Sequence, residues 1–214
     1  MMLVLTLLCR DEADILESML RFHLAQGVDR IIATDNGSVD GSLEILQRFE
    51  RRGQLTLLQE AEQTHDQAVW VTRMARMAAA MGADWVINSD ADEFWWPQQG
   101  NLNSTLAQLP ESVEALLVER TNFLPPPRDG QDQRPFYQRQ TLRERVSCNS
   151  LGAPLPPKLI HRAHPGVEIT DGNHGARVNG KPIAAIKSTE IEILHVPIRS
   201  YEQLERKIRQ GAEA

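Results

Sequence analysis

Leu3-Val-Leu-Thr-Leu-Leu8 is an unbroken apolar run of strand length, and only a strand covered on both faces can bury such a run. The pattern recurs at Arg30 to Thr34, at Leu55 to Leu58 and around Val86-Ile87, with helical apolar spacing filling the gaps. Leu16, Met19, Leu20, His23 and Leu24 mark a first helix, stopped by Gly27. Leu43, Leu46 and Phe49 mark a second, which Gly53 breaks. A third runs from Thr64 to Met81, with Ala68, Val71, Ala75, Ala78 and Met81 facing inward. Alternating strands and helices predict a parallel sheet wound through right-handed crossovers. The expected fold is therefore α/β, a Rossmann-like, mostly parallel sheet flanked by helices.

Three of these strands end in polar turns: Arg10-Asp-Glu12, Asp35-Asn-Gly-Ser38 and Asp90-Ala-Asp-Glu93. Open α/β sheets bind ligands beyond the carboxyl ends of their strands. The three turns would thus converge on one edge, which is stronger evidence for a site than any one of them alone. Asp90 and Asp92 are two residues apart, so on an extended backbone they point the same way and can share one cation. A hard divalent ion takes oxygen ligands and keeps positions open for phosphates. A bare Asp-x-Asp often marks only a solvated loop. Here Trp85, Phe94, Trp95 and Trp96 surround it with apolar area that a plain surface loop rarely carries. Carboxylates enclosed in this way repel one another without a cation, which favours metal binding.

The second half is less regular. It offers a helix over Leu102 to Leu109, a strand over Val113 to Glu119, and a loop from Pro125 to Arg134. The arginine-rich stretch from Arg128 to Arg145 reads as a solvated face, with acceptor or phosphate contact as the alternative. Strands at Lys158 to His161 and Ile191 to His195 and a capped helix over Ser200 to Gln210 complete the reading. The 214 residues suit one domain, with 1–96 as its regular half and 97–214 as its less regular half, which the resemblance below makes the nucleotide-binding and acceptor-side halves of a catalytic domain. The chain stops at Gly211-Ala-Glu-Ala214 without a closing strand, which is consistent with truncation of the acceptor side.

A net charge of -6 argues against a nucleic-acid partner. No stretch approaches the roughly 18 apolar residues of a transmembrane span, and Met1 to Leu8 lacks the charged start of a signal peptide. The expected location is cytoplasmic, with the inner membrane surface open to it. Cys9 and Cys148 read as structural thiols rather than a disulfide framework. Among the histidines, His23 reads as packed inside the first helix, and His65, His161 and His164 have no evident role. His174 and His195 could each reach a site built by the first half.

Taken in order, these motifs resemble glycosyltransferase family 2 and its relatives of the GT-A fold, which use nucleotide-diphosphate sugars. The nearest branch carries Asp-x-Asp-Glu-Phe, here Asp90 to Phe94, and a late His-x-Pro-x-Arg-Ser, here His195 to Ser200. The resemblance implies that Arg10 and Glu12 lie with the nucleotide and that Asp35 hydrogen-bonds a uracil ring. It places Arg73, nine residues before Gly82, against the base, although the usual Arg-Asn pair is here Arg73-Met74. Asp90 would touch ribose or a metal-bound water, and Asp92 would hold Mn2+ or Mg2+ on the diphosphate. A histidine after the last strand would complete the metal site, with His195 the best match and His174 its rival.

The family's catalytic base is an Asp well downstream of the signature, usually in a Glu-Asp pair that is missing here. Asp171 lies in that region, and Glu93 and Glu168 are the other options. Arg199 and Lys207 could steady the diphosphate from the final helix or simply face solvent. The implied activity is metal-dependent, inverting transfer of a sugar from a UDP-sugar to a hydroxyl of a glycan or lipid-linked acceptor. Two alternatives stay open. One is a nucleotidyltransferase, although Cys9-Arg-Asp-Glu12 has no glycine for a phosphate loop. The other is a non-catalytic nucleotide-binding module of the same fold.

Overall fold

The computed structural model describes residues 1–60, 67–125, 134–149 and 151–212. The first half forms β1 (Leu3–Cys9), α1 (Ala13–Ala25), β2 (Arg30–Asp35), α2 (Ser42–Arg51), β3 (Leu55–Gln59), α3 (Gln67–Ala80) and β4 (Trp85–Ser89). Then come β5 (Glu93–Pro97), α4 (Leu102–Ala107), β6 (Ala115–Val118), β7 (Arg120–Leu124), α5 (Phe136–Arg139) and β8 (Leu142–Arg143). The chain continues with β9 (Lys158–Arg162), β10 (Val167–Ile169), a 3-10 turn at Asp171–Asn173 and β11 (Ala176–Val178). It closes with β12 (Lys181–Pro182), β13 (Ala185–Lys187), β14 (Ile191–His195) and α6 (Tyr201–Ala212). His65 and the start of the expected third helix lie outside the described residues, as does most of the expected loop before Arg134.

The main sheet has the order β3-β2-β1-β4-β9-β6-β13. β1 pairs in parallel with both β2 and β4, and this explains its continuous apolar run. Its side chains alternate between two cores. Leu3, Leu5 and Leu7 pack with Ile15, Leu16 and Met19 of α1 and with Leu46 and Phe49 of α2. Val4 turns the other way, with Ile32 and Val86, onto Val71, Met74, Ala75 and Ala78 of α3. Leu5 has no exposed surface, so Leu5→Ala would cost about 2–5 kcal/mol. The chain leaves α1 through Gly27 at φ 86°, where a Cβ would come within 2.9 Å of Asn103 on α4. The expected stop is therefore also a close approach between two elements.

The second half proves richer in strands than its pattern suggests, because its strands are short and several are paired on one edge only. β9 runs against all the others in the main sheet, being antiparallel to β4 and to β6. A reversed strand brings its beginning, not its end, to the edge where the parallel strands finish. A second sheet has the order β5-β14-β7-β8, and a third the order β10-β11-β12.

Candidate functional site

The loop after β1 is fastened to the loop after β2. Val39 N donates to Asp11 Oδ1 at 2.8 Å, and Asp11 N donates to Ser38 Oγ at 3.1 Å. Asp40 and Ser42 accept from the first amides around α1, Ala13 N and Glu12 N, so the second loop caps the first helix. Asp11 holds φ 54°, an uncommon backbone for a non-glycine, in this stitched turn. Asp35 closes β2 with 3% exposure. Its Oδ2 accepts from Ser38 N at 3.2 Å, while Oδ1 has no hydrogen-bond partner among the described residues. Arg73 on α3 reaches the same corner through Glu60, which it meets at 2.6 Å and whose N–H donates to Asp35 O. Arg10 lies half-buried beside Asp11.

Asp90 and Asp92, expected from their spacing to point the same way, have different side-chain partners. Residues 90–92 form a turn between β4 and β5 rather than extended strand, so each carboxylate takes its own lysine. Asp90 Oδ2 is 2.5 Å from Lys158 Nζ, at the start of β9. Asp92 Oδ2 is 2.8 Å from Lys207 Nζ, on α6, and its Oδ1 is 3.6 Å from His195 Nε2. Burial would raise the Asp92 carboxyl, but Lys207 and His195 outweigh it and hold it down at about 2. Glu93 is fully buried, with Lys158 at 3.2 Å and Arg120 at 3.6 Å. Burial, then the neighbouring Asp90, pushes Glu93 up to about 7 against the pull of Lys158. A carboxyl without exposed surface cannot meet an acceptor hydroxyl, so Glu93 supports the site from beneath and is not its base.

His195 ends β14 in a cross-strand row with Glu93 on β5 and Asn122 on β7. Asn122 donates its amide to Glu144 at 2.8 Å and to Cys148 O at 3.1 Å. Its carbonyl must therefore face His195 Nδ1, 2.7 Å away. The imidazole carries its proton on Nδ1, and Nε2 presents a lone pair toward Asp92. Burial lowers the pKa of His195 against the pull of Asp92. Side chains on the opposite face of this sheet, Phe94, Trp96, Phe123 and Leu194, line an aromatic groove of about 650 Å³ against Phe22 of α1. The strand alternation thus keeps this groove on the face away from His195, Glu93 and Asn122.

The rival histidine, His174, is engaged elsewhere: its Nδ1 donates to Pro157 O at 2.8 Å. It lies near Asp90 rather than against Asp92. Asp171 is exposed, in a turn where Gly172 and Asn173 both take left-handed backbone, and Asn173 Nδ2 lies 3.5 Å from Asp90 Oδ1. The base candidate thus lies two residues before a contact of Asp90. Glu168 lies off it, paired with Arg76 on the outside of α3. Arg199 is 2% exposed and is taken up by Asp14 at 2.7 Å and by Glu12. Neither it nor Lys207 belongs to a free solvent face. Glu12 is correspondingly occupied, by Arg199 and by Lys207 at 3.6 Å.

Three members of this arrangement carried no signal in the sequence: Lys158, Arg120 and Asn122. Each stands in a run that reads as ordinary strand or strand edge. Their partners come from elements that only the strand order brings close.

A mostly parallel sheet with one reversed strand, an acidic turn after β4 and a histidine brought back against that turn define a GT-A-type glycosyltransferase fold. The chain belongs to glycosyltransferase family 92, whose family model matches residues 9–211. Among solved structures it is similar to S. aureus TarS 1-349 in complex with UDP-GlcNAc, with TM-score 0.58 and 13% identity over 95% of this chain and 61% of that one. It is also similar to a second structure of S. aureus TarS 1-349, with TM-score 0.54 and 14% identity over 96% of this chain and 64% of the other. It thus spans less than two thirds of these structures. No curated protein matches it in sequence. Among the described residues, no helix is long and apolar enough to cross a membrane.

Proposed function

We propose that this chain carries the donor site of a metal-dependent glycosyltransferase that moves a sugar from a uridine-diphosphate sugar to a hydroxyl of a glycan or lipid-linked acceptor. The observation that carries this reading is the pair Asp92 and His195, a carboxylate and a bare imidazole nitrogen aimed at one another beside the nucleotide edge. That donor set suits Mn2+ or Mg2+. Among the described residues no three His, Cys, Asp or Glu side chains gather to hold a metal, so diphosphate oxygens and water would complete the coordination. Lys207 marks with its ammonium the place where positive charge is wanted.

The remaining residues fall into roles around this pair. Asp35, with one unpaired buried oxygen, accepts from the uracil imide, and Arg73 and Arg10 flank it. Asp90 faces the ribose. A bound cation supplies charge neutralisation on the leaving diphosphate. Asp171 removes the acceptor's proton, the acceptor oxygen bonds to C1, and the C1–O bond breaks with its electron pair going to the diphosphate. Attack from the face opposite the leaving group inverts the anomeric centre. Lys207, once off Asp92, would stabilise the departing charge.

Melting temperature measured with UDP, with Mn2+ and with both, in the parent and in Asp92→Ala, tests the proposal. A ligand at about 100 times its Kd stabilises the fold by about 2.7 kcal/mol. The expected result is a joint stabilisation that Asp92→Ala removes, together with Mn2+-dependent hydrolysis of a UDP-sugar. A parent insensitive to both ligands at millimolar concentration would sink the reading.

A further inference from the structure

We propose that Lys158 is a positioning residue of the donor site: its ammonium commits Asp90 to the nucleotide and keeps it off the cation, which Asp92 and His195 hold. The inference rests on the donor-site reading above. Lys158 is 1% exposed, and burying an ammonium is costly unless it is paired and hydrogen-bonded. Its partners are Asp90 at 2.5 Å and the fully buried Glu93 at 3.2 Å. The segment leading into it is tied to the site at successive residues. Pro156 O accepts from Arg120 at 2.9 and 3.1 Å, and Pro157 O accepts from His174 at 2.8 Å. Proline fixes φ, so the two residues before Lys158 hold its backbone in place.

The topology explains how a lysine reaches this point. Ile160 of β9 pairs with Ile87 of β4, and β9 runs antiparallel. Continuing that register sets Lys158 level with Ser89, at the carboxyl end of β4. It arrives from below the turn that carries Asp90.

The two lysines of the site differ in kind. Lys207 stands on the last helix with 37% of its side chain exposed, so an incoming cation can displace it from Asp92. Lys158 is 1% exposed beneath an Asp90 side chain that is 37% exposed, so the ammonium stays fixed on the inner side of that carboxylate. A divalent ion on Asp90 would have to sit against a fixed positive charge, whereas on Asp92 it replaces a movable one. Among the described residues Asp90 Oδ1 has the long contact from Asn173, 3.5 Å, and is the oxygen left for a ribose hydroxyl.

Calorimetric titration of Mn2+ and of UDP into the parent, Lys158→Met and Asp90→Asn decides the matter, with thermal melts to confirm folding. Asp90→Asn is expected to keep Mn2+ affinity within about threefold while weakening UDP about tenfold, the size of a lost outer-sphere contact. Lys158→Met is expected to tighten Mn2+ by about tenfold, since it frees a carboxylate, and to weaken UDP by a similar factor. Loss of Mn2+ binding in Asp90→Asn by tenfold or more, on the order of a ligand's contribution, overturns the proposal, and this arm decides alone if Lys158→Met does not fold. If the parent binds both ligands and the variants match it, only the Lys158 assignment fails. If the parent binds neither, the donor-site reading fails and takes this inference with it.

Discussion

Asn122 Oδ1 accepts a hydrogen bond from His195 Nδ1 at 2.7 Å, and this contact decides which ring nitrogen faces Asp92. Glu144 and Cys148 in turn hold the Asn122 amide, so the tautomer of the histidine is set by groups that never touch it. Asn122→Ala should lower Mn2+ affinity by about 10–100-fold, the usual cost of removing an outer-sphere partner. Calorimetric titration of the apo protein measures it. An unchanged affinity would mean that His195 does not ligate through Nε2.

Lys207 competes with a cation for Asp92. Lys207→Met should therefore tighten Mn2+ binding by about tenfold, since it removes one positive charge from a partly buried site. It should also slow turnover if the ammonium serves the leaving diphosphate. Weaker Mn2+ binding in this variant would place the metal away from Asp92.

Arg199 joins the start of α6 to the start of α1 through Asp14 and Glu12, residues 185 and 187 positions away. Its guanidinium is buried, whereas the Asp14 side chain is 36% exposed. Arg199→Met should cost about 3 kcal/mol, the lower end for breaking a buried pair, because Asp14 can recover some hydration. Urea unfolding gives the number, and faster amide exchange in α6 would show that the helix has come loose.

Two fully buried histidines set the pH dependence of stability. Burial holds His23 and His161 at about 4, against weaker opposing hydrogen bonds to Met19 O and Arg162 O. His23 also accepts from Trp95 N at 3.2 Å, a bond that protonation would remove. The unfolded chain takes up these protons first, so the stability is full above the ordinary histidine value of 6.5 and is lost as pH falls toward 4. Each histidine accounts for about 3 kcal/mol. Glu93 has the opposite sign: raised to about 7, it contributes most below its ordinary 4.5 and loses that contribution as pH rises. It offsets part of the histidine loss. Urea titrations should show stability falling between pH 7 and 4.5, and falling further in Glu93→Gln, where the opposing contribution is gone. A flat profile in that variant would contradict the assignment.

The strands and helices of the first half were legible because their cause is local. Apolar spacing of two or 3.6 residues is a property of a short window, and β1 to β4 with their polar turns follow from it. Asp35, with its unpaired buried oxygen, and the acidic turn at Asp90 stand at the expected edge for the same reason. The motif order read correctly as a glycosyltransferase, although the family is 92 rather than family 2. The divided partners of Asp90 and Asp92 were not legible, since spacing on an extended strand says nothing once the chain turns.

What the sequence determined by itself, then, is the alternation that builds the sheet and the placing of carboxylates where its strands end. What only the tertiary structure decided is the choice of partner for each carboxylate. Lys158 meets Asp90 across 68 residues because β9 is reversed, and His195 meets Asp92 because β14 pairs with β5. A side chain's charge is written in its own residue, but the group that neutralises it depends on strand order and direction. Those are settled by burying whole faces at once rather than by any local pattern.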